Sequence, residues 1–315
     1  MADYPRTLPE FRERFATEAD CLDYLVALRW RRGFRCPSCG HSTARRTPRA
    51  LYECLNCRRQ TSPTAGTIFH DSRKPLRLWF EAMWHVTSQK YGANALGLQR
   101  ILGLGSYHTA WEWLHRLRRA MVNPGRDQLA GVVEVDETMI GGVRAGKRGR
   151  GAAGKTLVVI AVEDTGVDHP SGRGIGRIRL EQLPDASAVS LSGFVSRHIR
   201  PGSTVRTDGW SGYNDLECNG YEHQVVASLD TEISHRVVAL LKRWLLGTYQ
   251  GAVSCHQLPY YLDEFTFRFN RRKSASRGLL FYRLLQQAVL TPPVSIAQLR
   301  ADAAAGHAIN NGGPQ

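Results

Sequence analysis

Three separated stretches carry groups able to do chemistry together. Residues 132–142 read VVEVDETMIGG, residues 204–209 TVRTDG and residues 235–244 HRVVALLKRW. In the first, Val132, Val133, Val135 and Ile140 surround Asp136, a short β-branched run that predicts a strand mostly buried in a sheet. A carboxylate placed there costs several kcal/mol unless it is paired or holds a metal. The second stretch is a strand that delivers Asp208. The third is a helix carrying His235 and Lys242 seven residues apart. At 100° per residue these two lie about 20° apart around the helix and roughly 10 Å apart along it, so they share a face. Two carboxylates and an imidazole form a divalent-cation site, and a nearby ammonium can hold an anionic group. Hard oxygen ligands suit Mg²⁺ or Mn²⁺, and a pair of such ions suits phosphoryl transfer. Glu134 and Glu137 flank Asp136 and are expected to point away from it, towards solvent or into structural roles.

A second ligand set lies earlier. Cys36 and Cys39 form one CxxC pair and Cys54 and Cys57 another, with fourteen residues between the pairs. That spacing predicts a structural zinc site, closed by four thiolates from two turns; a redox pair or coincidence is the alternative. Metal binding would supply on the order of 10 kcal/mol of folding energy to a segment with few core residues. Arg35, Arg45, Arg46, Arg49, Arg58 and Arg59 surround the site, as phosphate contacts or as a solvated basic face. His41 is expected at the surface and not among the ligands. Cys21, Cys218 and Cys255 read as free thiols, and this cysteine usage fits a reducing compartment.

The elements that must position these groups follow from periodicity. The 315 residues are enough for two or three domains. A net charge of +14 favours a polyanionic partner. No apolar run is long enough to span a membrane, and the start, MADYPRTLPEF, is not a secretory signal. Residues 17–31 predict a helix capped by Thr17. Residues 75–90, 95–102 and 106–121 predict three helices joined by short Gly-containing links, which fits a helix-turn-helix or a plain three-helix bundle. In the first case the third helix would offer His115, Arg116, Arg118 and Arg119 to DNA. Residues 141–155 are Gly-rich and carry Arg144, Lys147, Arg148, Arg150 and Lys155 without an acid. They read as a basic arm able to lie along a phosphate backbone, or as a disordered loop. Strands follow at 156–162 and 175–183, the latter at a sheet edge. Then come a helix at 189–199, strands at 205–208 and 223–226, a helix from His235 to a cap at Gly247, and helices at 260–272 and 279–289. This order predicts an α/β (α+β) fold of RNase H-like topology, in which the first strand lies beside the fourth and Asp136 can meet Asp208.

With CPSC and CLNC, VEVDETMIGG, TDGWSGY, HRVVALLKRWLLGTYQGAVS and YLDEFTFRFNRR in view, the chain from about residue 18 to 290 resembles the insertion-sequence transposases related to Merlin elements. The resemblance implies a DDE-type, RNase H-like (retroviral integrase-like) catalytic domain behind a zinc ribbon and helix-turn-helix. It implies domains at 1–73 (helix and zinc ribbon), 74–128 (helix-turn-helix-like segment), 130–290 (catalytic domain) and 291–315 (tail). Asp136 and Asp208 match the first two catalytic positions. The third, seven residues before Lys242, is His235, a departure from the acidic pattern; imidazole is neutral and prefers softer metals than Mg²⁺. Glu232 competes for that role, and Asp230 is a more remote candidate. Implied cofactors are structural Zn²⁺ at the four cysteines and catalytic Mg²⁺ or Mn²⁺ at Asp136, Asp208 and His235. Implied DNA contacts are Arg116, Arg118, Arg119, Arg144, Lys147, Arg148, Arg150 and Arg243. The implied activity is cutting and joining of transposon ends. The partners would be terminal inverted repeats and target DNA, bound by a homodimer or larger assembly in the bacterial cytoplasm, at the nucleoid. A metal-dependent nuclease of the same fold and an inactive DNA-binding regulator are the rival expectations.

Overall fold

The structure, a computed structural model, describes residues 3–123, 125–141, 155–166, 174–226, 232–250 and 253–299. Most of the expected basic arm, including Arg144, Lys147, Arg148 and Arg150, and the tail from residue 300 lie outside the described residues. The chain divides into two compact units. One joins Met1–Asn123 to Ser274–Arg300 and the other holds Pro124–Lys273.

In the first unit, α1 (Leu8–Arg14) leads into α2 (Glu18–Arg29), whose start is a reciprocal cap. The Thr17 hydroxyl accepts the Asp20 N–H at 3.2 Å, and Asp20 accepts the Thr17 N–H at 2.8 Å. A three-stranded antiparallel sheet follows, β1 (Ala44–Arg46), β2 (Tyr52–Cys54) and β3 (Gln60–Thr61). These short strands bracket the cysteine pairs and were not visible as periodicity. Next come α3 (Leu76–Ser88), α4 (Ala95–Leu102) and α5 (Tyr107–Ala120). Pro75 gives α3 no side-chain cap, and the Glu18 carboxylate fills that role by accepting the Leu76 and Arg77 N–H groups at 2.7 and 3.0 Å. Gly103 ends α4 in the left-handed conformation (φ +60°), and Ser106 caps α5 three residues later. α4 and α5 are thus joined by a short Gly-containing link.

The core of this unit is aromatic. Trp79 of α3 stacks on Trp113 of α5 at 3.9 Å. Phe281, on α9 (Arg277–Ala288), meets Phe11, Phe80 and Trp84 at 5.4, 5.7 and 5.8 Å. The sequence reading placed this amphipathic helix at the end of the catalytic domain. It belongs instead to the first unit, because its apolar face is completed by rings from the opposite end of the chain.

The second unit is a five-stranded sheet in the order β6-β5-β4-β7-β8. β4 (Val132–Ile140), β5 (Thr156–Asp164) and β6 (Ile175–Leu183) are antiparallel, while β7 (Thr204–Thr207) and β8 (Glu222–Val225) run parallel to β4. One face packs on α6 (Ala188–His198), where Leu191, Phe194 and Val195 meet Val133, Val135, Val159 and Val205. The other packs on α7 (Glu232–Tyr249) and α8 (Leu258–Phe269), where Val237, Leu241 and Phe265 meet Val158, Ile160 and Ile178. Helices on both sides explain why β5 is apolar along almost its whole length. β6 is an edge strand, as expected. Asn270 exchanges hydrogen bonds with the Ile178 backbone (2.8 and 3.1 Å), and Arg272 donates to the Ile175 and Gly176 carbonyls, which occupies groups an edge would leave open. α7 runs through Gly247 rather than stopping there, and the left-handed residue that follows it is Gln250 (φ +51°).

Glu163, 9% exposed, accepts from Nε and Nη2 of Arg177 (2.9 and 2.6 Å) and from the Arg177 and Ala130 N–H groups (3.0 and 3.2 Å). Burial alone would raise its pKa; the hydrogen bonds and the guanidinium overcome it and hold the carboxyl below its usual range. A depressed folded-state pKa contributes stability above the unfolded value and loses it as pH falls through the folded one. Glu163→Gln should therefore cost about 2 kcal/mol at pH 7, and the gap to the parent in urea unfolding should shrink below pH 4.5.

Candidate active site and zinc site

The register between β4 and β7 pairs Val132 with Thr204, Val133 with Val205 and Glu134 with Arg206. The same offset carried two residues further sets Asp136 opposite Asp208, one residue past the end of β7. Neighbouring strands are about 4.8 Å apart, so the two carboxylates start from adjacent backbone positions. Asp208 is exposed and accepts the Trp210 N–H at 3.1 Å. Gly209 between them has φ +81°, and a Cβ there would lie 2.7 Å from the Val225 side chain, so this turn requires glycine. Asp136 accepts the Glu137 N–H at 2.7 Å through Oδ1, and its Oδ2 lies 3.4 Å from His235 Nε2. The Asp136 side chain is 15% exposed and that of His235 50%, which leaves the imidazole open to a ligand.

Tyr213, fully buried, ends a short 3₁₀ turn (Ser211–Tyr213) and lies against Glu137. Burial, followed by the charges of Glu137, Asp136 and Asp208, pushes its phenol well above the ordinary value. Lys242 shares the same field. Burial and the positive charge of Lys155 lower its pKa, and Asp136 opposes them. Tyr213 lies in the DGWSGY run and Lys155 at the end of the basic arm, and neither pattern by itself signals a place near Asp136.

One expectation about the flanking acids needs correction. Glu134 stands two residues before Asp136, and side chains alternate with period two. It therefore shares the Asp136 face, and it is buried (3% exposed) rather than turned to solvent. Its Oε2 accepts the Ser234 N–H of α7 at 2.9 Å. Glu137 does face the opposite side, towards Tyr213. Glu232 is exposed in the first turn of α7 and lines an open pocket with His235, Ile175, Ile233 and Arg236. Asp230 lies outside the described residues.

The four cysteines form a compact cluster. Cys36 and Cys57 sulfurs are 3.5 Å apart, those of Cys39 and Cys54 3.6 Å, and all four lie within 4.8 Å of one another. Zn–S bonds of about 2.3 Å put tetrahedral sulfurs about 3.8 Å apart, so the set fits zinc. The two knuckles match: Cys36 N–H bonds to His41 O and Gly40 N–H to Cys36 O, as Cys54 N–H bonds to Arg59 O and Arg58 N–H to Cys54 O. The His41 backbone N–H brings the Cys39 thiol down to about 6, towards the thiolate a metal needs. The His41 ring is exposed and bonded to Thr43, so it is not a ligand. Among the described residues no other group of three or more such side chains gathers this tightly. Asp136 and His235 are in contact, and with Asp208 they form no cluster that tight.

The arginines expected to meet DNA divide into two groups. Arg118 and His115 are each 1% exposed, on the face of α5 turned into the first unit, and burial drives the His115 imidazole down to about 2. Arg118 is therefore not a surface contact. Arg116 pairs with Glu112 and donates to the Ile68 carbonyl; Arg119 is partly exposed and Arg243 exposed. A helix that buries one arginine and one histidine among apolar residues reads from sequence like a basic helix, and only packing reveals which side turns inward. In the ribbon, Arg45 and Arg58 hold Glu53 at 3.0 and 3.3 Å, while Arg35, Arg49 and Arg59 are exposed.

A mixed five-stranded sheet flanked by helices on both faces, following a four-cysteine ribbon, is the arrangement expected above for an insertion-sequence transposase. Comparison with known proteins agrees. Residues 128–270 match the family model of the ISXO2-like transposase domain, and residues 16–60 match that of the transposase zinc-ribbon domain. Both models describe IS1595 elements and together they cover more than half of the chain; the chain belongs to this family of insertion-sequence transposases. It is 27% identical over 274 residues to an uncharacterized protein in transposable element ISH50 of Halobacterium salinarum, covering 81% of this chain and 91% of that one. A chain from a crystal structure of a pre-cleavage Mos1 transpososome is similar over 71% of this chain and 78% of its own, at 11% identity and a TM-score of 0.29. No helix among the described residues is long and apolar enough to cross a membrane.

Purified protein should carry one zinc per chain by elemental analysis. Cys54→Ser should lose it together with the β1–β3 sheet, seen as loss of the Trp30–Tyr52 environment (rings 4.8 Å apart) in near-UV circular dichroism. Retention of both would remove the zinc assignment.

Proposed function

We propose that the chain itself cuts and joins the ends of its element, with Asp136, Asp208 and His235 holding the catalytic divalent ions and Lys242 holding a phosphate. The observation that carries this reading is the β4–β7 register, which sets Asp136 beside Asp208 while α7 brings His235 within 3.4 Å of Asp136. Two carboxylates and one imidazole, open on one side, match the donors a Mg²⁺ or Mn²⁺ site uses and leave room for a scissile phosphate. When bound, such ions supply Lewis-acid stabilisation of the transferring phosphoryl group.

The protein's own part is positioning. The Glu137 N–H and His235 fix the Asp136 carboxylate from two sides, and the Trp210 N–H orients that of Asp208. His235 would complete the ligand set, or orient the attacking water. Lys242 supplies charge next to the cleaved bond. The exposed Arg35, Arg49 and Arg59 of the ribbon, with Arg119 and Arg243, provide sequence-independent phosphate contacts. The basic arm, with Arg144, Lys147, Arg148 and Arg150, would add further phosphate contacts in this reading. A pair of protomers on two element ends is the assembly expected for joining.

Asp136→Asn and Asp208→Asn should each reduce strand cleavage of element-end DNA in Mg²⁺ or Mn²⁺ by on the order of 10³-fold, the equivalent of several kcal/mol. DNA affinity should stay nearly unchanged. Cleavage at the parental rate would overturn the site. A parent that cleaves without joining would be a nuclease, and one that binds without cleaving a regulator. Lys242→Ala should lower DNA affinity and reduce the slope of log affinity against log salt by about 1.

A further inference from the structure

Glu134 has no place in the mechanism above, yet it sits in a costly position. Its side chain is buried in the sheet two residues before Asp136 and on the same face. A buried carboxylate costs several kcal/mol unless its oxygens are satisfied. Glu134 meets that demand at the first turn of α7. Its Oε2 accepts the Ser234 N–H at 2.9 Å, one of the helix-start donors that have no acceptor inside the helix. The Ser234 hydroxyl adds a second bond, and Ser234 is fully buried. The positive end of the helix favours a negative charge there. Arg206 and Asp164, the other charges near Glu134, are paired with each other at 3.0 Å.

The next residue of α7 is His235. The strand and the helix are thus joined by two consecutive contacts, Glu134 to Ser234 and Asp136 to His235. The first is made to backbone, so it fixes the height and rotation of the helix start. The second involves the imidazole, half exposed, whose own contact to Asp136 is long at 3.4 Å.

We infer that Glu134 is a positioning residue: by anchoring the Ser234 N–H it sets the first turn of α7, and so holds the His235 imidazole over Asp136. It is not counted among the ligands, since its Oε2 is tied to the Ser234 N–H at the helix start. A family pattern with a carboxylate at the third position would reach an ion with two oxygens on a flexible stem. His235 offers one ring nitrogen with a fixed direction, so its placement is more demanding. Outer groups that orient a ligand typically change metal affinity by about 10–100-fold when removed. The metal side of this role rests on the site proposed above.

The test compares Glu134→Ala, Glu134→Gln and Ser234→Pro in the full chain. Gln keeps an acceptor for the Ser234 N–H. Pro deletes that N–H at a position in the first helical turn, where proline is tolerated. Two readouts are taken: hydrogen exchange of the amides of residues 233–238, and Mn²⁺ affinity by electron paramagnetic resonance without DNA. Glu134→Ala and Ser234→Pro should each speed exchange in this turn at least tenfold and weaken Mn²⁺ binding by about 10–100-fold. Glu134→Gln should restore most of both. Parental exchange in Glu134→Ala, or a Gln variant no better protected than the Ala variant, would overturn the inference. If Asp136→Asn binds Mn²⁺ as tightly as the parent, the metal reading fails, and the exchange data alone decide whether Glu134 sets the helix. Should the Ala variant not fold, the Gln and Pro variants still give opposite expected results.

Discussion

The parallel pairing of β4 with β7 is the constraint on which the proposed active centre depends. Asp136 and Asp208 are 72 residues apart in the chain, and neither has a local reason to meet the other. They become neighbours because β4 pairs with β5 on one side and β7 on the other, and because the β4–β7 register matches residue n with residue n+72. A slip of one residue would turn one carboxylate to the opposite face. The register is held by burial. Val133, Val135 and Val205 are inserted into the α6 face of the sheet, and a shifted strand would expose them. The apolar packing on one side of the sheet thereby decides which acids converge on the other.

That division of labour between the two faces runs through the unit. On β4, the odd positions Val133 and Val135 make core, and the even positions Glu134 and Asp136 face α7. Below Ser234 and His235, the same helix buries Val237, Leu241 and Trp244 against the sheet. Its polar first turn sits over the acids and its apolar body anchors it. The arrangement explains how a helix whose upper end meets two carboxylates remains a stable part of the fold.

The first unit solves a different problem. Its ribbon has a core of little more than Trp30, Phe34 and Tyr52 around Cys36 and Cys54, too little apolar surface to order three short strands. The thiolate cluster replaces that missing core. Around the helices, rings from both ends of the chain complete one another, so Phe11 and Phe281 share a cluster although the whole second unit lies between them in sequence.

Much was legible in the residues themselves. The two CxxC pairs, the Asp136 and Asp208 strands and the seven-residue spacing from His235 to Lys242 are local patterns, and local patterns reflect chemistry that works over a few residues: turn geometry, alternation, helical repeat. The strand order could also be read, because each strand is short, apolar and separated by turn residues. What the sequence could not reveal were facts about opposite partners. The burial of Arg118 and His115, the membership of α9 in the first unit and the anchoring of Ser234 by Glu134 all depend on what lies across an interface. A side chain's partner there is set by the packing of distant segments and not by its neighbours in the chain. For Glu134, strand parity contradicts the expectation that it points away from Asp136, and only the tertiary structure supplied the helix start that makes a buried carboxylate tolerable there.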